Sequence, residues 1–206
     1  MHVRSDDQCP SVHVCCSIVP SCGRRGERAR ILGDMTGHDP LIRDARPDER
    51  DAVLGVTLAA YEEYAATMPE PLWTGYRQHL LATLDTEGPV ERIVAERVGA
   101  IVGSVLLFPP STKAYGTAAV SVDCPEVRLL AVPPRARGQG VGAALMEECA
   151  RRARRAGAPA LGLHTTDMMR AAVRMYERLG YVRAPESDFV PAKGLLVKGF
   201  RLALHR

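Results

Sequence analysis

The stretch from Glu126 to Gly157 constrains the fold more than any other part of the chain. It opens with an apolar run, Val127 to Val132, interrupted only by Arg128, which predicts a half-buried strand. Pro133 and Pro134 then end the strand, because proline has no backbone N–H to give to a sheet. A glycine-rich turn and a long helical pattern follow, so this stretch predicts a strand, a turn and a helix.

The turn itself, Arg137 to Gly142, reads Arg-Gly-Gln-Gly-Val-Gly. Three glycines in so short a span let the backbone turn sharply and approach a ligand closely, because no Cβ intervenes. The first N–H groups of the following helix have no partner inside it, and the helix dipole adds partial positive charge there. With Arg135 and Arg137 alongside, these groups predict a site for a phosphate or pyrophosphate.

Two known kinds of phosphate-binding loop fit the turn poorly. A P-loop is excluded, because the chain has no GxxxxGK[ST] sequence. Gly138, Gly140 and Ala143 do spell the GxGxxA of a dinucleotide-binding fold. However, two prolines and two arginines separate the strand from the first glycine, and too few residues follow Gly142 for the rest of a doubly wound domain. The dinucleotide alternative is disfavoured but stays open.

Two segments of the chain carry a family resemblance. Arg137–Gly142 resembles motif A of the GNAT family of N-acetyltransferases, [RQ]-x-x-G-x-[GA] after a strand. The segment AVRMYERLGY, from Ala172 to Tyr181, resembles the A-x-x-x-Y-E-x-x-G-[FY] segment of the same family. The two motifs stand in the family's order with a helix and a strand between them. The resemblance spans roughly residues 41–204 and is most specific between Glu126 and Tyr181.

Composition suits one soluble globular domain, with 206 residues of which 46% are hydrophobic and 25% charged. The net charge of +3 is too small to indicate a nucleic-acid partner, and no apolar run approaches the length of a membrane span. Residues 1–38 differ from the rest: they hold Cys9, Cys15, Cys16 and Cys22 without a CxxC pair. We therefore expect a poorly ordered extension there rather than a metal or redox site, and a single domain over 39–206. The cysteines suggest no disulfide framework, which makes the cytoplasm the default location.

Periodic segments predict an α/β fold with a mixed sheet. Strands are expected over 41–45, 90–97, 100–108, 118–122, 160–165 and 195–204. Helices are expected from the start signal at 47–49 to Tyr61, over 73–84, and after Asp167, the expected N-cap. Gly157 and Gly180 are expected to end the last two helices. The resemblance implies the GNAT acyl-CoA N-acyltransferase fold: a central, mostly antiparallel sheet with flanking helices and a splayed parallel strand pair. The resemblance further implies that the pantetheine arm of the cofactor would lie in the gap between those two strands.

The resemblance also implies a set of site residues. Its catalytic candidates are Glu126, as a base acting directly or through water, and Tyr176, as the acid that protonates the leaving thiolate. The alternatives are a solvent-facing strand-end acid for Glu126 and a core aromatic residue for Tyr176. Asp123 is a reserve base. The residues implied to bind the cofactor are Leu130, Ala131, Val132, Arg137, Gly138, Gln139, Gly140, Val141, Gly142 and Ala143.

One residue near this site departs from the family pattern, and several others are assigned no role in it. Met169 stands where many members have an asparagine that bonds the pantetheine or orders the site. His164 and Thr165 lie near the expected splay and are assigned no role. The arginines at the end of the central helix are expected to be solvated, favouring the helix dipole, at positions Arg151, Arg152, Arg154 and Arg155.

The function implied is transfer of the acetyl group of acetyl-CoA, a cosubstrate, to a primary amine by direct attack in a ternary complex. Alternatives are an acyl-CoA-binding regulatory module without catalysis and transfer of another acyl group. The acceptor, a small-molecule or peptide amine, is expected to bind between the first helix pair, which carries Trp73, and the loops 109–117 and 186–193. We expect no metal, nucleic-acid or membrane partner, and a homodimer stays open.

Overall fold

The computed structural model of the protein describes residues 39–111, 123–192 and 194–204. The predicted extension over 1–38 and the predicted strand over 118–122 lie outside the described residues. Within the described ranges, none of the helices combines the length and apolar character needed to cross a membrane.

The described chain forms eight strands and four α-helices. The strands are β1 (Leu41–Asp44), β2 (Glu91–Arg97), β3 (Ala100–Phe108), β4 (Glu126–Ala131), β5 (Ala160–Thr165), β6 (Val182–Arg183), β7 (Phe189–Ala192) and β8 (Leu195–Ala203). The helices are α1 (Arg50–Tyr61), α2 (Glu70–Leu84), α3 (Val141–Arg155) and α4 (Arg170–Arg178). Short 3₁₀ turns lie at Pro47–Glu49, Glu62–Ala66, Pro134–Ala136 and Pro185–Ser187.

All eight strands belong to one sheet in the order β1-β2-β3-β4-β5-β8-β6, with β7 paired to β8. Every neighbouring pair is antiparallel except β4 and β5, which run parallel. The predicted mixed, mostly antiparallel sheet with one parallel pair is therefore confirmed. β6 and β7 were not predicted from the sequence.

Helices cover both faces of the sheet. On one face α3 and α4 pack against strand residues of alternating parity, such as Val105, Leu107 and Val127, in a buried apolar cluster. On the other face α1 and α2 pack with Ala131 in a second, smaller cluster. Because β4 contributes to both clusters, its backbone is held from both sides.

The ends of α3 and α4 follow the predicted glycine caps. Gly157 and Gly180 both have left-handed φ angles, of 74° and 87°. In each case the N–H of the residue after the glycine, three residues past the last helical residue, donates to a carbonyl in the last turn. The distance is 3.0 Å from Ala158 to Ala153 and 3.0 Å from Tyr181 to Tyr176. Both predicted C-caps are confirmed.

Two predictions about helix ends are wrong. α4 begins after Met169, and the carboxylate of Asp167 accepts a hydrogen bond from Lys198 Nζ at 2.6 Å instead of capping the helix. In α3 only part of the arginine cluster is solvated, because Arg152 contacts the carboxylates of Asp44 at 2.5 Å, Glu91 at 2.7 Å and Glu148 at 2.8 Å. The side chain of Arg152 is 12% exposed and joins α3 to β1 and β2.

Candidate active site

The parallel strands β4 and β5 pair over only two residues, at the start of β4 and in the middle of β5. Glu126 lies opposite Gly162 and Val127 lies opposite Leu163, and the pairing stops there. From Arg128 onward β4 has no partner in β5 among the described residues. The two strands therefore diverge towards their carboxyl ends and leave a gap lined by backbone groups, as the resemblance implies.

A β-bulge lies at the mouth of this gap. Ser104 and Leu106 of β3 pair with Ala131 and Arg128 of β4, so β4 has one residue more than β3 across the same interval. Leu129, within the bulge, has a φ of 49°, which costs a residue with a side chain about 1–2 kcal/mol. The bulge turns the backbone of β4 at Leu130, whose carbonyl accepts a hydrogen bond from the Tyr61 hydroxyl at 3.3 Å.

The glycine-rich turn follows β4, and its three glycines lie in two different kinds of surroundings. Gly138 and Gly140 have left-handed φ angles of 72° and 78°, and a Cβ on either would point into open space. Gly142, in the first turn of α3, instead lies so close to Met175 that a Cβ would be 3.1 Å from its sulfur. No side chain in the described ranges caps the N-terminus of α3, so its first N–H groups remain available to an anion.

The side chain of Arg137 makes its hydrogen bonds within the protein and not towards the open side of this turn. Its guanidinium donates to the carbonyls of Val132 at 2.9 Å and Ala60 at 3.0 Å, and to the carboxylate of Glu63 at 2.8 Å. The hydrogen bond to Glu63 raises the pKa of Arg137. Arg137 thus fastens the turn to the end of α1, and a direct contact between its side chain and a phosphate stays a prediction.

Arg97, a residue that the sequence reasoning missed, braces the turn from the other side. It lies at the tip of the β2–β3 hairpin and donates to the side-chain oxygen of Gln139 and, at 3.5 Å, to its backbone carbonyl. The amide of Gln139 in turn donates to the Arg135 carbonyl at 3.1 Å. The Nε of Arg97 is buried without a partner in the described structure. No spacing rule connects a hairpin tip to a turn 42 residues away, so the sequence offered no signal.

Glu126 opens β4 as a fully buried carboxylate, 0% exposed. Arg128 Nε donates to its Oε2 at 2.7 Å, and His164 Nδ1 lies 2.5 Å from its Oε1. The alternative of a solvent-facing strand-end acid is therefore wrong. The guanidinium of Arg128 also lies over the ring of Phe108, 4.3 Å from its centroid, which adds a cation–π contact to the cluster.

His164, to which the sequence assigned no role, links Glu126 to the C-terminal part of the chain. Its Nε2 lies 2.9 Å from the carbonyl oxygen of Ser187, and the edge of its ring meets Phe189 at a centroid distance of 5.4 Å. The reserve base Asp123 is different, because 71% of its side chain is exposed and it accepts a hydrogen bond from Arg201 at 2.8 Å. That hydrogen bond lowers the pKa of Asp123.

Tyr176 lies on α4 and is buried, with 6% of its surface exposed. Burial raises its pKa, and the neighbouring hydroxyl of Tyr181 raises it further. The Tyr176 hydroxyl therefore keeps its proton at neutral pH, as a general acid must. Whether it is the acid stays a prediction.

Met169 forms part of an apolar wall beside the bulge. It packs against the smaller core cluster, as do Leu129 and Trp73. Tyr76 stands between two other aromatic rings, at 6.2 Å from both Tyr61 and Trp73. At the position where many family members have asparagine, this protein thus presents a hydrophobic surface. In the described ranges no cluster of three or more histidine, cysteine, aspartate or glutamate residues could hold a metal ion.

The split parallel pair and the glycine turn at a free helix N-terminus form the geometry that the resemblance implies for acyl-CoA N-acyltransferases. The bulge at the split was not predicted. The chain belongs to the GNAT acetyltransferase family, whose model matches residues 57–181, more than half of the sequence. No curated protein sequence matches the chain significantly.

Solved structures share this fold at low sequence identity. The histone acetyltransferase HPA2 and related acetyltransferase from Corynebacterium glutamicum is 22% identical, with a TM-score of 0.60 over 80% of this chain and 96% of that chain. The protein yncA from Salmonella typhimurium, solved with its cofactor acetyl-CoA, is 18% identical, with a TM-score of 0.53 over 82% and 96%. The ribosomal-protein-alanine N-acetyltransferase from Brucella melitensis is 21% identical, with a TM-score of 0.55 over 80% and 99%.

Proposed function

We propose that the protein transfers the acetyl group of acetyl-CoA to a primary amine by direct attack in a ternary complex. The observation that carries the proposal is the divergence of β4 and β5 after two residue pairs, with the bulge at Leu129 and the glycine turn next to it. An extended ligand with amides along its length and a pyrophosphate at one end fits this sequence of backbone groups. The family membership of the chain supports the same assignment.

Binding of the cosubstrate would fall mainly to the backbone. The N–H groups from Gly138 to Ala143 would bind the pyrophosphate, because no side chain caps the N-terminus of α3 and the helix dipole favours an anion there. The backbone of Leu130, Ala131 and Val132 would bond the pantetheine amides. One N–H at the bulge would polarise the thioester carbonyl, and a preorganised donor of this type contributes about 3–4 kcal/mol.

The reaction requires two proton transfers. The amine nitrogen bonds to the thioester carbon while its proton passes to Glu126, directly or through a water molecule. The carbon–sulfur bond then breaks, and the leaving thiolate takes a proton from Tyr176. Glu126 is buried between Arg128 and His164. The proton must therefore reach it through a water molecule, or directly after a small movement of the neighbouring side chains.

The acceptor would approach from the face covered by α1 and α2. Trp73 and Tyr76 are half-buried there and present aromatic surface beside the bulge. One structural neighbour is a ribosomal-protein-alanine N-acetyltransferase, which supports a peptide amine as the acceptor. A small-molecule amine is the other candidate for the same surface.

Calorimetric titration of the full chain with acetyl-CoA tests the binding half of the proposal. We expect the wild type to bind and Gly140→Glu to lose binding, because the substitution places a carboxylate where the pyrophosphate would lie. Gly88→Glu is the matched control, since Gly88 also has a left-handed φ and open space around it but lies between α2 and β2. A folded wild type that does not bind acetyl-CoA would overturn the proposal.

Release of free thiol in the presence of a panel of amines tests the catalytic half. We expect Glu126→Gln to lower kcat, while Asp123→Asn, which changes the exposed reserve carboxylate, leaves it unaltered. Binding of acetyl-CoA without transfer to any peptide or small amine would instead favour an acyl-CoA-binding regulatory module. Faster turnover with another acyl thioester would mean that the protein transfers that acyl group instead of acetyl.

A further inference from the structure

We propose that His164 is a positioning residue which, as a doubly protonated imidazolium, bridges the carboxylate of Glu126 to the backbone carbonyl of Ser187. It thereby ties the proposed base to the segment Pro185–Phe189, which overlaps the loop 186–193 that the family resemblance places on the acceptor side. The catalytic part of this inference rests on the proposed function, while the bridge itself does not.

The protonation state follows from what each ring nitrogen faces. The carbonyl oxygen of Ser187 can only accept, so Nε2 of His164, 2.9 Å away, must carry a hydrogen. A second proton must lie between Nδ1 and Oε1 of Glu126, because two lone pairs would repel each other at 2.5 Å. The pair therefore holds either an imidazolium beside a carboxylate or a neutral imidazole beside a carboxylic acid.

The charges around the pair favour the first form. Arg128 approaches the other oxygen of Glu126 from β4, with Nε at 2.7 Å and Nη2 at 2.5 Å, and stabilises the ionised carboxylate. On the other side, Asp188 follows the carbonyl that His164 binds. Burial acts to raise the pKa of Asp188, but hydrogen bonds from Arg183 and Gly199 and the nearby charge of His164 lower it on balance. Among the described neighbours, the thiol of Cys124 stays neutral, because burial raises its pKa to about 11. Burial lowers the pKa of His79, and the charge of Arg128 lowers it further, so this side chain adds no second cation beside the pair.

The segment Pro185–Phe189 that His164 contacts is also held by hydrogen bonds to β8. The Gly199 N–H donates to Asp188 Oδ1 at 2.8 Å, and the Ala184 N–H donates to the Gly199 carbonyl at 2.9 Å. Gly199 lies opposite His164 in the β5–β8 ladder. His164 and Gly199, on two neighbouring strands, thus both hold the turn in place. Phe189, which follows the turn, packs against the His164 ring.

Two substitutions separate the two halves of the bridge. Asparagine at position 164 can place its amide nitrogen near the position of Nδ1 and keep the donor to Glu126, whereas it is too short to reach Ser187. Glutamine can reach Ser187 but offers no donor at the Nδ1 position. We expect His164→Gln to lower kcat by about a hundredfold, because a misoriented catalytic group has a cost of that order. We expect His164→Asn to act chiefly on KM for the amine, and acetyl-CoA affinity to change in neither variant.

The deciding experiment reads protonation directly from the free full-length protein. Long-range ¹H–¹⁵N correlation spectra, assigned by loss of the His164 signals in His164→Asn, should show both ring nitrogens protonated at neutral pH. Glu126→Gln should convert His164 to the neutral tautomer with hydrogen on Nε2, because the new amide can donate to Nδ1. A neutral ring in the wild type, or a ring that Glu126→Gln leaves unchanged, would overturn the bridge.

The two proposals can fail separately. Imidazolium signals in a protein that does not bind acetyl-CoA would leave the bridge standing and remove the proposed function. A neutral His164 in a protein that acetylates amines would do the reverse. Unaltered kcat and KM in both His164 variants of an active, folded protein would also overturn the positioning role.

Discussion

Gly199 and Ser187 lie in a contact that leaves no room for a side chain on the glycine. A Cβ built on Gly199 would lie 1.8 Å from Oγ of Ser187, 3.1 Å from its Cβ and 2.9 Å from the carbonyl oxygen of Ala184. The close approach lets the turn at Pro185–Ser187 pack flat on β8, beside the hydrogen bonds that Gly199 makes with Ala184 and Asp188. The position of the turn therefore depends on a glycine in the middle of a strand.

We expect Gly199→Ala to destabilise the protein by about 1–3 kcal/mol, since either the turn or the strand must move to relieve the overlap. Chemical denaturation would measure the free energy of unfolding. Gly75→Ala is the control: Gly75 lies within α2 with open space around it, so alanine there should be neutral or stabilising. Equal stability of wild type and Gly199→Ala would show that the turn does not pack on β8 in this way.

Arg97→Ala should weaken the use of acetyl-CoA through the glycine turn, because the guanidinium no longer holds the side chain and carbonyl of Gln139. The loss should reach about tenfold in kcat/KM, the size of a hydrogen bond to a charged group. S-acetylpantetheine, a thioester without the nucleotide, distinguishes this role from a general structural one. Its kcat/KM should be the same for Arg97→Ala and wild type, and an equal loss with both thioesters would contradict the assignment.

Tyr176→Phe should lower kcat by about a hundredfold or more if the hydroxyl supplies the proton to the leaving thiolate. Acetyl-CoA affinity should be retained, because the ring stays in place. Tyr181→Phe is a close control, since the Tyr181 ring lies 5.9 Å from that of Tyr176 and its buried hydroxyl has no hydrogen-bond partner in the described structure. That variant should keep its activity and gain or keep stability. A fully active Tyr176→Phe would reduce Tyr176 to a core aromatic residue.

Val98→Asn should stabilise the protein by about 1 kcal/mol, because a β-branched residue is unfavourable in the left-handed region. Val98 has a φ of 50° and is followed by Gly99 at 73°, the geometry of a tight hairpin turn that asparagine-glycine favours. Val98 is 97% exposed, so no packing is lost. Val190→Asn, on an exposed position of β7, should give no such gain in thermal denaturation.

Glu148→Gln should destabilise the protein at neutral pH by about 1 kcal/mol, the scale of a partly exposed ion-pair network. The hydrogen bonds from Arg151 and Arg152 lower the pKa of Glu148 to about 2 in the folded protein, below its value in the unfolded chain. The stabilisation is therefore complete above about pH 5 and is lost as the pH falls towards 2. Denaturation at several pH values should show the difference between wild type and Glu148→Gln closing over this range. A constant difference would exclude the charged pair as its cause.

Local patterns in the sequence predicted the long elements well. Both ends of β3 and β5 are as predicted, because their residues are mostly apolar and a glycine, proline or polar residue adjoins each end. β6 and β7 escaped prediction, since β6 has two residues, of which Val182 is 65% exposed, and β7 contains Pro191. Neither short segment carries an apolar pattern that distinguishes it from a loop.

The site was predictable only where a local motif defines it. The left-handed angles of Gly138 and Gly140 follow from the glycine pattern itself. The contact of Glu126 with His164 joins residues 38 apart in the chain and depends on the register of β4 against β5, which no local pattern encodes. The role of Asp167 was equally unpredictable from local sequence. Its position suits a helix N-cap, but the fold brings Lys198 of β8 close enough to bind its carboxylate instead.

The short pairing between β4 and β5 also has a mechanical consequence. Two rungs join the half-sheet of β1 to β4 with the half-sheet of β5, β8, β6 and β7, so the sheet contains a seam. The side-chain contact of Glu126 with His164 crosses the seam next to those rungs. A ligand that forms hydrogen bonds to both strand edges would hold the two half-sheets together. Their backbone amides would then become exposed to solvent in one joint opening rather than separately.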